Sequence, residues 1–184
     1  MTTLALALAI STLLLIATLP RIFFRPGRLN AAWWLTATPF ILAGAGTLAV
    51  AAGLLLPPAM PAATRSALAL ASVLLSSAAV FLICYAAGSH AQPVSLWHQE
   101  QDTPARLVTS GAYARVRHPF YSAFLAALAA CVFAAPSLPV TLAAVLGAIQ
   151  LTRTARREEK RLLDAFGEDY ARYMARTGRF IPRV

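Results

Sequence analysis

Residues 2 to 19 contain no charged side chain and approach the ~20 residues that an α-helix needs to cross the hydrocarbon of a bilayer. Charge-poor runs recur at 31–56, 65–88, 119–135 and 140–152. In lipid every backbone polar group must be satisfied internally, so apolar segments of this length can only be helices. The chain of 184 residues is 59% apolar, where a soluble domain is about half apolar. The expectation is an all-α integral membrane protein forming a single domain over residues 1–184. It has five transmembrane helices, the last two forming a C-terminal helical hairpin, and cytoplasmic amphipathic tail helices.

The first run reads as a retained span. A secretory signal would carry its basic residues in front, whereas here Arg21, Arg25 and Arg28 follow the apolar stretch. Trp33 and Trp34 open the second run, where indoles favour the membrane interface. That run also contains Gly44-Ala-Gly46-Thr-Leu-Ala49, a match to the dinucleotide-binding fingerprint. The fingerprint requires a strand-turn-helix context, so close helix packing is the better reading of these small residues. The last two runs are short for a full crossing at ~1.5 Å per residue, and Pro136-Ser-Leu-Pro139 turns one into the other.

Net charge is +9, and the 16 basic residues lie at the ends of the apolar runs instead of on a solvated face interleaved with aromatics. That placement argues against a nucleic-acid partner. With the amino terminus outside, Arg65 is the one basic residue on the outer side and the other 15 lie inside. This asymmetry puts the polar loop 89–118 and the tail 153–184 together in the cytoplasm. Cys84 and Cys131 lie in separate apolar runs and read as packing residues, with neither disulfide nor metal-ligand spacing. His90, His98 and His118 lack the i, i+3 or i, i+4 spacing of a metal site.

The loop and tail carry the chemistry-bearing residues. Pro119 is well placed as the first residue of a helix, which makes His118 the N-cap or its neighbour and turns it towards a helix end suited to an anionic group. In the tail, Leu162, Leu163 and Phe166 recur on one side of a charged segment, an amphipathic pattern ended by Gly167, with a second short helix beyond it. Glu158 and Glu159 are about 100° apart on that helix, so one of the two can point inward while the other meets solvent and the neighbouring arginines.

Three ordered motifs, Leu-Val-Thr-Ser-Gly-x-Tyr (107–113), Arg-His-Pro-x-Tyr (117–121) and Glu-Glu-x-x-Leu (158–162) followed by Phe-Gly-x-x-Tyr (166–170), cover the second half of the chain. Here the chain resembles the isoprenylcysteine carboxyl methyltransferase and phospholipid methyltransferase family, integral membrane enzymes that use S-adenosylmethionine. The resemblance implies cofactor contacts at Leu107, Val108, Tyr113, His118, Pro119, Tyr121 and Glu158, which makes Glu158 the inward glutamate and leaves Glu159 to solvent, with His98 standing where the family has a cofactor-contacting glutamine. The cofactor's carboxylate is also suited to Arg117.

The same resemblance implies methyl transfer to a lipophilic acceptor that enters from the bilayer, with Glu158 or His118 as base where the acceptor is an amine. Thr154 replaces an arginine that binds the substrate carboxylate in the eukaryotic enzymes. Arg153 and Arg156 are the candidate substitutes, although they lie about 140° and 160° from Glu158 on a regular helix. The alternatives are a phospholipid amine N-methyltransferase, a membrane reductase using a nicotinamide cofactor, and a membrane scaffold without catalysis.

Overall fold

The structure, a computed structural model, describes residues 2–23, 31–89 and 107–183, with the side chains of 20–23 and 31–35 left aside. The described residues are all-helical. Five helices follow in order: α1 Thr2–Phe23, α2 Ala31–Ala51, α3 Ala62–Gly88, α4 Pro119–Ala134 and α5 Leu138–Arg176, with one 3₁₀ turn at Gly111–Ala114 before α4. Of these, α1, α3 and α5 are long and apolar enough to cross a membrane, while α4 is a shorter apolar helix of 16 residues. The expected interfacial Trp33 and Trp34 side chains, and His90 and His98 in the loop, lie outside the described residues.

Helix α1 runs on to Phe23, four residues past its charge-free run, and α3 begins three residues early at Ala62. Two further boundaries differ for a clear physical reason. The second run leaves its helix at Ala51, five residues early, because Gly53 takes a left-handed backbone (φ 71°) and Pro57 and Pro58 follow. The fifth run does not end at Thr152. It continues through the charged tail as one 39-residue helix, bent at Gly167 (φ 53°, ψ −126°). Between Gly147 and Gly167 there is neither glycine nor proline, and the Ala, Arg, Glu, Lys and Leu that fill the polar part are strong helix formers. The tail is therefore a direct extension of the last apolar helix, and whatever it carries is held in register with that helix.

Helix α4 sits centrally, packed on α3 and α1, and α5 packs on α2 and α4. Ala5, Ala9, Ala79, Ala86, Ala123, Ala127 and Ala130 are fully buried, so small side chains line the contacts and let backbones approach. Ser72 donates a hydrogen bond to the Ala130 carbonyl (2.8 Å), a polar tie between α3 and α4 in the buried core. Gly46, in the fingerprint-like stretch, faces α5, where an added Cβ would stand 2.7 Å from Val140 Cγ2. The stretch is mid-helix, and close packing accounts for it. Cys131 is buried as expected, but Cys84 is exposed on the flank of α3.

Candidate functional site

Helix α4 begins as its proline dictates: Pro119 occupies the first turn and His118 is the N-cap, at φ −127° and ψ 64°. The His118 side chain makes no capping bond. The ring instead lies parallel to Tyr121, with centroids 5.3 Å apart, and against Phe180 at 6.1 Å. Its Nδ1 is 3.2 Å from Glu158 Oε2 and its Nε2 3.3 Å from Glu159 Oε1, with 7% of the side chain exposed. The Nε2 contact is misaligned for a hydrogen bond, which leaves that buried nitrogen with an electrostatic neighbour but no bonded partner.

Both glutamates face inward, which overturns the expectation that Glu159 meets solvent. Glu159 is the more buried of the two, at 4% exposure, and holds the denser set of partners. Arg117 Nε donates to its Oε1 at 2.9 Å, and Arg179 donates from Nη2 to Oε2 at 2.5 Å and from Nε to both oxygens at 3.0 Å. Glu158 retains some exposure and accepts a short hydrogen bond from the Tyr121 hydroxyl. Two adjacent helical residues can both be inside because α5 is covered on one side by the start of α4 and on the other by the chain's own end.

That end is stitched along the 115–122 segment. Arg117 N–H donates to the Gly178 carbonyl (2.8 Å), His118 N–H to the Arg179 carbonyl (3.1 Å) and Gly178 N–H to the Arg115 carbonyl (3.2 Å), forming an isolated parallel bridge between Val116 and Gly178. Ser122 Oγ adds a bond to the Phe180 carbonyl at 2.7 Å, and Arg117 Nη1 donates to the carbonyls of Met174 (3.1 Å) and Thr177. Arg117 therefore serves Glu159 and the C-terminal backbone at once. Sequence reasoning missed Arg179, Thr177 and Phe180 entirely. The one available signal was the need of a buried carboxylate for cations, and that need went unseen while Glu159 was placed in solvent.

Electrostatics follow from this packing. Burial disfavours the charged form of Glu159, but the adjacent His118 ring and the hydrogen bonds from Arg179 and Arg117 outweigh it and hold the carboxyl well below the usual carboxylate range. Burial also works against a charged His118, yet the two glutamates prevail and raise its pKa. A histidine with a raised pKa between two carboxylates is poised as a cation, which weakens its case as a general base. Burial, with Tyr173 and Glu158 nearby, raises Tyr113 far enough that its phenol stays protonated.

Tyr113 comes from the 3₁₀ turn. Gly111 has φ +60°, and an added Cβ would stand 2.9 Å from Ser89 Cβ, while Ala112 N–H donates to Ser89 Oγ at 3.0 Å. Glycine in that motif is thus accounted for by backbone geometry and the close approach of α3. Tyr173, beyond the bend of α5, donates its hydroxyl to the Tyr113 carbonyl at 2.7 Å.

Of the residues expected at the site, Tyr113, Arg117, His118, Pro119, Tyr121 and Glu158 are brought together. Leu107 and Val108 are half-buried at the start of the described segment and make no polar contact with the cluster. His98 lies outside the described residues. Thr154 is half-buried one turn before Glu158, whereas Arg153 and Arg156 are exposed on the outer face of α5, away from the cluster. Neither family models nor curated proteins give a match to this chain.

Proposed function

We propose that the protein is a membrane-embedded methyltransferase that takes a methyl group from S-adenosylmethionine and passes it to a lipophilic acceptor, in the manner of the isoprenylcysteine carboxyl methyltransferases. The observation that carries this reading is the convergence of three separated motifs: Tyr113, then Arg117, His118 and Tyr121, then Glu158, meet in one cluster at the start of α4. Tyr121 and His118 each hold one oxygen of Glu158, so its carboxylate is oriented and still partly exposed.

The residues present fit the cofactor's chemistry. An oriented carboxylate among aromatic rings suits a sulfonium. When bound, S-adenosylmethionine supplies an electrophilic methyl group on positive sulfur. The protein's part is alignment and exclusion of water, and no protein nucleophile is required. Glu158 serves as base where the acceptor is an amine; His118, poised as a cation, serves by charge.

The outward placement of Arg153 and Arg156 favours one second reading. With Thr154 on the Glu158 side of α5, that face lacks the arginine that the resemblance assigns to a substrate carboxylate, which favours a phospholipid amine as acceptor over a compact prenylcysteine. The 15-to-1 division of basic residues supports a multi-pass arrangement with the cluster on the cytoplasmic side. Incubating the purified protein with methyl-labelled S-adenosylmethionine and a lipid extract of its host tests the reading. Label in an aminophospholipid supports the N-methyl form, label in a prenylated carboxyl group the O-methyl form, and no labelled product counts against both.

A further inference from the structure

The outer face of α5 carries a recess that the catalytic reading does not use. It has a volume of about 370 Å³ and is lined by Val145, Ala148, Ile149, Thr152, Arg153 and Arg156. Val145 and Ile149 are 51% and 44% exposed, although they belong to the apolar half of a helix long enough to cross the membrane. Ile149 and Arg153, like Thr152 and Arg156, are four residues apart and stand above one another on one helical face. Arg153 and Arg156 are three apart, a spacing that brings side chains within reach of one small anion. Among the described residues no carboxylate engages either guanidinium.

We propose that this recess is a binding site for an anionic phospholipid of the cytoplasmic leaflet, separate from the methyl-transfer site. The two arginines hold the phosphate, Thr152 offers a hydroxyl at the glycerol level, and Val145, Ala148 and Ile149 carry the acyl chain. Depth agrees with the assignment. Val145 lies eight residues, about 12 Å, below Arg153, within the ~15 Å of hydrocarbon that one leaflet supplies. A soluble phosphate would find the charge but waste the apolar floor; a zwitterionic lipid would fill the floor but bring its own cation to two arginines. An anionic phospholipid satisfies both halves, and its binding anchors the point where α5 leaves the membrane on its way to Glu158 and Glu159.

The test does not depend on catalysis. The full-length protein is released for native mass spectrometry from nanodiscs containing equal phosphatidylglycerol and phosphatidylcholine, and retained lipids are counted. The wild type is expected to retain phosphatidylglycerol selectively. Replacing both arginines, Arg153→Gln with Arg156→Gln, weakens that retention about 30-fold, the size expected for two basic residues at an anionic surface. The control Arg65→Gln, near the start of α3 and exposed, leaves it unchanged, and Arg153→Lys with Arg156→Lys retains most of it. Selectivity that survives the double glutamine change, or falls equally in Arg65→Gln, overturns the proposal. So does a mass spectrum in which a second copy of the chain covers this face and excludes lipid.

Discussion

Arg179 grips Glu159 from twenty positions further along the chain, with Nη2 2.5 Å from one carboxylate oxygen and Nε 3.0 Å from both. This contact fastens the end of the chain over α5 and completes the surroundings of His118, since Phe180 follows directly and lies against that ring. Removing one partner of a buried pair leaves the other charge uncompensated, at a cost of ~3 kcal/mol or more. Glu159→Gln is therefore expected to lower the unfolding temperature clearly, because it strands Arg117 as well as Arg179. Arg179→Gln should cost less, since Arg117 still serves the carboxylate. A double-mutant cycle followed by thermal unfolding in detergent should show coupling between the two positions of at least ~1 kcal/mol. Additive single effects would mean that the pair does not hold the chain end.

The same cluster gives stability a two-sided dependence on pH. Glu159 has its pKa depressed in the folded state, so its contribution is present above the ordinary value of 4.5 and is lost as pH falls through the folded value. His118 has its pKa raised, so its contribution is complete below 6.5 and is lost as pH rises through the folded value. Thermal unfolding across a pH series should give a plateau between about 4.5 and 6.5, the ordinary values of the two groups. His118→Gln should flatten the alkaline limb and shrink the acid limb without abolishing it, since Arg179 and Arg117 still hold the Glu159 carboxylate. An alkaline limb unchanged in that variant would show that His118 is not the group responsible.

Membrane orientation is tested by labelling with an impermeant thiol reagent. Cys84 must first be changed to serine, because it is exposed on α3 and would contribute background. In that background Ala62→Cys, at the start of α3, is expected to react from outside, and Asp164→Cys, on the exposed tail side of α5, only after permeabilisation. The opposite pattern would invert the topology drawn from the basic residues and remove the cluster from the cytoplasm.

The helical architecture and the start of the site were legible because they depend on local rules. Charge-free runs give helices in lipid, Pro119 sets the beginning of α4, and Gly167 breaks the regular backbone of α5 where a break was expected. The inward face of α5 was not legible. Helical geometry separates Glu158 from Glu159 by about 100°, but which angles are covered depends on what packs there. The cover comes from Thr177 to Phe180 folding back onto residues 115–122, a pairing of segments some sixty positions apart that no local pattern announces. The outward direction of Arg153 and Arg156 did follow from the helical wheel, since α5 is regular through that stretch.

Direct binding of S-adenosylmethionine to the purified protein, measured by isothermal calorimetry in wild type, His118→Ala and Glu158→Gln, is the most direct test of the central claim. The expected result is saturable binding to the wild type, weakened about tenfold to a hundredfold in each variant by loss of a charge-assisted contact worth ~1.5 to 3 kcal/mol. Absence of binding to folded wild-type protein, or equal affinity in all three, would contradict a cofactor site built on His118 and Glu158.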